Sequence, residues 1–181
     1  MAMHVWRRNL WGSAAVLGVT LLISIGLPAL NDLVPDGAVA PPGRVLNVSH
    51  TVTVQPPPDA VLDSEETSPR AGQLSLEVRG IRLVFQASTY RGGSLGAARR
   101  LQRRIVERGY RVGERNRVST TAAVTGWEAR FTSPVREGYF AVFTYHGVLV
   151  EVVAQGDGLH LGDRLEAIRG SVRSLRFGGR R

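Results

Sequence analysis

The sequence predicts an α+β fold: a single N-terminal transmembrane helix, then an antiparallel sheet with two helices packed on one face. Three observations carry this expectation. Residues 9–30 contain no charged side chain over 22 positions. Between residues 73 and 177, apolar runs follow the order strands, helix, three strands, helix, and two of the strands are separated only by His146-Gly147, the spacing of a tight hairpin. Two further segments repeat their apolar residues at the spacing of a helix.

The uncharged run, "NLWGSAAVLGVTLLISIGLPAL", is long enough to cross a hydrocarbon core of about 30 Å at ~1.5 Å per residue. Arg7 and Arg8 precede it, and the first charges after it are Asp32 and Asp36. Arg7 and Arg8 are therefore topology determinants, with residues 1–8 cytoplasmic and the C-terminal domain extracytoplasmic, in a single-pass protein of the cell membrane. Trp6 and Trp11 fall at the inner interface, and Gly12, Gly18 and Gly26 would allow packing against another helix. A cleaved signal peptide is the alternative, but its best small-residue site, Ala38-Val39-Ala40, is followed by Pro41. A twin-arginine export signal at Arg7-Arg8 is also open.

Residues 31–72 turn to Pro, Asp, Ser and Gly and read as a Pro-rich extracytoplasmic stalk. Within it, residues 45–55 place Val48, Val52 and Val54 among polar neighbours, either a first strand or an isolated extended piece.

Residues 73–177 form the extracytoplasmic α+β domain, followed by a tail over 178–181. Leu74, Leu76 and Val78 alternate in "QLSLEV", and Ile81, Leu83 and Phe85 continue the pattern beyond Arg79-Gly80, as a hairpin or a bulged pair. Ser94 caps a helix that reaches Arg108 and is closed by Gly109. Three strands follow, "GWEARFTS", "GYFAVFTYH" and "VLVEVVAQ", and then a helix over 159–175 marked by Leu161, Leu165, Ile168, Val172 and Leu175.

This order of elements, with "GWEARFTSP", "GYFAVFTYHGVLVEVVAQG" and a last helix ending "IRGSVRSLRF", resembles small exported or membrane-anchored proteins of high-GC Gram-positive bacteria that carry a PsbP-like α/β domain. The resemblance implies a non-enzymatic binding or accessory module, with no cofactor and no defined site.

The residues themselves offer little for catalysis. Without cysteine there are no disulfides, thiolate metal sites, cysteine nucleophiles or lipid-modified cysteine. His4 is cytoplasmic, His50 lies in the stalk, His146 sits at a hairpin tip, and His160 is flanked by Asp157 and Asp163 without a second ligand at metal spacing. Ser88, Ser94, Ser133 and Ser174 occupy caps and loops, and no G-x-S-x-G is present. The glycines of "RGGSLGAAR" and "GDGLHLGD" lack phosphate-loop spacing and read as turn and cap residues. Glu128 and Glu151, both mid-strand, are the single carboxylate pair that could share a face and act as acid and base.

All 23 basic residues are arginine, which fits a GC-rich coding genome, and the net charge is +8. They concentrate in "AARRLQRRIVERGYR", where helical spacing puts Ala98, Leu101, Ile105, Val106, Leu95 and Gly109 on one side and Arg99, Arg100, Arg103, Arg104 and Arg108 on the other. That outward face is either plain solvated surface, a contact for an anionic wall or lipid polymer, or an interface with an envelope protein. Nucleic acid is excluded by the extracytoplasmic topology. The expected function is a non-catalytic binding or accessory domain without cofactor or metal. The alternatives are a structural subunit of a membrane assembly and a hydrolase-like enzyme using Glu128 and Glu151.

Overall fold

The computed structural model describes residues 39–40, 43–157 and 161–178. All fall within one unit, Gly37–Arg181. The expected membrane span and its flank, with Arg7 and Arg8, lie outside the described residues, as do His4 and His160. Among the described residues, no helix is long and apolar enough to cross a membrane.

The elements run β1 (Leu46–Asn47), β2 (Val52–Val54), β3 (Val61–Leu62), β4 (Gln73–Val78), β5 (Ile81–Thr89), α1 (Ser94–Glu107), β6 (Arg111–Val112), β7 (Asn116–Ser119), β8 (Thr125–Thr132), β9 (Arg136–Tyr145), β10 (Val148–Asp157), α2 (Leu161–Arg173) and β11 (Arg176–Phe177). The main sheet has the order β3-β4-β5-β10-β9-β8-β6, with β7 also pairing β8, and every pairing is antiparallel. Both expected hairpins are present. Arg79 and Gly80 join β4 to β5, and His146 and Gly147 join β9 to β10. In each turn both residues have positive φ (48° and 79°, 44° and 80°), the left-handed pair that matches the twist of the flanking strands.

The helices do not share a face. In β9, Tyr139, Ala141 and Phe143 point into a core with Phe85, Val150, Val152 and the α2 residues Leu161, Ile168 and Val172. Their neighbours Phe140 and Val142 point the other way, into a core with Phe131, Leu149 and the α1 residues Ala97, Ala98, Leu101 and Ile105. The expectation of both helices on one face is therefore corrected to one helix on each. The cause lies in β9, where residues 138–143 are all buried. A strand apolar on both sides needs cover on both sides.

The segment expected as a stalk is, over its described part, built into the domain. β1 and β2 form a hairpin, β11 joins β2 to make a three-stranded sheet, and β3 adds to the edge of the main sheet beside β4. Val48, Val52, Val54 and Ala60 are fully buried in the α2-side core. The prolines explain why the composition misled. Pro56, Pro57 and Pro58 fall between β2 and β3, where no ladder donor is required, and the Pro57 carbonyl accepts a turn bond from the Ala60 N–H at 3.3 Å.

At the start of α1 the capping position belongs to Gly93, in extended conformation and without a side-chain cap, and Ser94 is the first helical residue. At its end the Gly109 N–H bonds Val106 O and the Tyr110 N–H bonds Ile105 O, with Gly109 at φ +86°, so Gly109 closes the helix as expected.

Candidate functional site

The two mid-strand glutamates are separated by the sheet itself. β9 lies between β8 and β10, and Glu128 pairs with Ala141 while Glu151 pairs with Val142. Ala141 and Val142 face opposite cores, so the carboxylates do too. Glu128, on the α2 side, accepts the Tyr139 hydroxyl at 2.7 Å and the Arg169 guanidinium at 3.0 Å. Glu151, on the α1 side, accepts Arg104 Nη2 on both oxygens at 2.5 and 2.6 Å. They cannot act on one substrate, and the acid–base alternative is withdrawn. Among the described residues, no group of three His, Asp or Glu is placed to hold a metal.

The arginines of α1 are exposed as expected but do not form one patch. Arg104 turns back onto the sheet to Glu151. Arg99 and Arg103 line a shallow groove with Val106, Glu107 and Arg115. Val106, expected on the apolar side, is 50% exposed there, and Ala97 takes its place in the core. Arg108 occupies the helix C-cap, and Arg100 lies over the Tyr90 ring, 5.3 Å from its centroid.

Arg100, on α1, is one side of an open cleft of about 1150 Å³ formed where six separate pieces of chain meet. The loop before β4 brings Arg70, and the segment after β5 brings Tyr90 and Arg91. The turn between β1 and β2 brings His50, the β9–β10 turn brings Tyr145 and His146, and β11 brings Phe177. Three arginines and two histidines line it, and among the described residues no aspartate or glutamate does. The hydroxyls of Ser49, Thr51, Ser88 and Thr89 add donors, while Tyr145 and Phe177, with ring centroids 5.6 Å apart, give an apolar wall. Such a surface attracts negative charge and has hydrogen-bond donors for oxygen atoms.

Local backbone geometry holds the loop that carries Arg70. Gly72, at φ +77°, accepts the Ala87 N–H at 2.7 Å, and a Cβ on it would lie 2.3 Å from the Ala87 carbonyl oxygen. Only glycine allows the loop to come this close to β5.

His146 was visible in the sequence as a turn residue. His50 was set aside with the stalk, and the strand character of its neighbours Val48 and Val52 was the signal that it belongs to the domain. The meeting of the six segments left no mark in any one stretch of sequence.

No family model and no curated protein matches this chain. Among solved structures it is similar to the solution structure of cyanobacterial PsbP (CyanoP) from Synechocystis sp. PCC 6803, with a TM-score of 0.55 and 10% sequence identity, over 79% of this chain and 99% of that one. At this identity the likeness is one of fold, and the fold of this chain is PsbP-like.

Proposed function

We propose that this protein is a non-catalytic binding or accessory module, held at the outer face of the cell membrane by residues 9–30, that takes the oxyanion of a partner into the cleft. The observation that carries this reading is the composition of the cleft: Arg70, Arg91, Arg100, His50 and His146 with no acidic residue among the described residues. Charges of one sign around a concave surface reinforce one another, whereas the α1 stripe is divided and Arg104 is already paired. The PsbP-like fold supports an accessory role, and the 22 uncharged residues over 9–30 support a place in the envelope. Anionic lipid headgroups and acidic wall polymers both present the oxyanion such a cleft would hold.

The test compares two triple variants of the full chain in non-ionic detergent, titrated with inorganic sulfate. Arg70→Gln/Arg91→Gln/Arg100→Gln is expected to weaken binding at least tenfold, and Arg99→Gln/Arg103→Gln/Arg108→Gln less than twofold, each ion-pair-strength contact being worth up to about 1 kcal/mol at an exposed site. Equal losses would return the anion site to the helix. For the anchor, a C-terminal reporter that works only outside the cytoplasm is expected to be active, and activity of a cytoplasm-only reporter would overturn the topology.

A further inference from the structure

The cleft combines two kinds of positive charge. Arg70, Arg91 and Arg100 are cationic at every physiological pH. His50 and His146 line the same cleft from two different turns and are both exposed, and histidine is the side chain whose charge ordinarily changes between about pH 5 and 8. Among the described residues, the charged and titratable groups that line the cleft with them are those arginines with Tyr90 and Tyr145. The Tyr145 ring meets the His146 ring edge-on at 4.2 Å, which sets an apolar surface directly beside one switchable donor.

We infer that the cleft is a proton-linked site for a ligand that joins an oxyanion to an apolar or ring portion, with His50 and His146 as its switchable donors, an inference that rests on the cleft being the anion site proposed above. An oxyanion seated among these side chains stabilises the imidazolium over the imidazole, so binding takes up protons. By linkage, affinity is highest at mildly acidic pH and falls as pH rises through the imidazole range. The arginines keep a residual affinity above neutrality, and the ring portion of the ligand rests against Tyr145 and Phe177.

The probe is 1-naphthalenesulfonate, an aromatic anion with no titration of its own in this range, added to the full chain in non-ionic detergent at constant ionic strength and followed by calorimetry against a detergent blank. Wild-type affinity is expected to fall about tenfold between about pH 5.5 and about pH 8.5. The double variant His50→Gln/His146→Gln, with an unchanged circular dichroism spectrum, is expected to bind independently of pH at the wild-type's alkaline level. A flat wild-type profile, or an equal fall in the double variant, would overturn the inference while leaving the anion site standing. Absence of binding at every pH, or binding indifferent to loss of the three arginines, would overturn the anion site and the inference together.

Discussion

The two faces of the main sheet solve the same problem with different means. Under α2 the core is large, extends to β1 and β2, and includes fully buried Tyr139, Phe85 and Phe143. Under α1 it is small, and the helix contributes two alanines, one leucine and one isoleucine. Each face also has a mid-strand glutamate bound by an arginine of its covering helix. On the α2 side both partners are largely covered, the Glu128 side chain being 10% exposed and Arg169 25%. On the α1 side Arg104 is 49% exposed. The same motif therefore carries different weight. Removing one partner from a covered network leaves a desolvated charge unmatched, whereas water takes over when an open pair is broken.

The contrast can be broken most forcefully in the cores. Ile168, fully buried in α2, and Ile105, 6% exposed in α1, allow the same substitution on opposite faces. Ile168→Ala is expected to cost about 4 kcal/mol and Ile105→Ala about 2 kcal/mol in urea unfolding. Equal losses would mean that the α1 core is as tightly filled as the other.

The glutamates give the next largest effect. Glu128→Gln leaves Arg169 with the exposed Glu166, 2.9 Å away, in place of its buried carboxylate, and is expected to cost about 2 kcal/mol. Glu151→Gln should cost less than about 1 kcal/mol. Reversal of that order in the same unfolding assay would show that Arg104, not Arg169, is the anchored partner.

The smallest effect sharpens the comparison through pH. Burial, and then the hydrogen bond to and charge of Glu128, hold the Tyr139 hydroxyl well above the ordinary tyrosine range. A group whose folded pKa is raised contributes stability that is whole below its unfolded value, about 10, and is lost as pH climbs beyond it. Wild-type protein should therefore lose stability more steeply above about pH 10 than Tyr139→Phe, which should itself cost about 1 kcal/mol at neutral pH. Parallel alkaline slopes would show that Tyr139 is not the group responsible.

Much of this architecture was legible locally. Although the short strands β6, β7 and β11 were not expected, the order of the long strands and the two helices, the Arg79-Gly80 and His146-Gly147 turns and the Gly109 stop each follow from a few neighbouring residues. The side of the sheet on which a helix docks does not. The signal for it was the continuous apolar run of β9, buried over residues 138–143, which the order of elements alone does not convey. The Pro-rich composition of residues 31–72 hid Ala60 and left Val48, Val52 and Val54 undecided between a first strand and an isolated extended piece, because prolines confined to a connection say nothing about the valines before them. The candidate site was the least legible part. Of the five basic residues lining the cleft, Arg100 alone had been singled out as a contact, and for a helix face rather than for a cavity shared with His50, Arg70, Arg91 and His146.

The pairing of β11 with β2 bears on how the domain is made. Arg176 and Phe177 lie beside Thr53 and Val52, and the Ser171 hydroxyl donates to the Gln55 carbonyl 116 residues earlier. A chain emerging from the ribosome, or threaded through a membrane, would hold the β1–β2 hairpin unfinished until residues 171–177 arrive. Val48, Val52 and Val54 would lack their final cover during that interval, exposed to whatever sticky surface is near. Closure over so long a separation is slow compared with formation of the two central hairpins. The arrival of residues 171–177 is thus also the step that protects these early strands from aggregation.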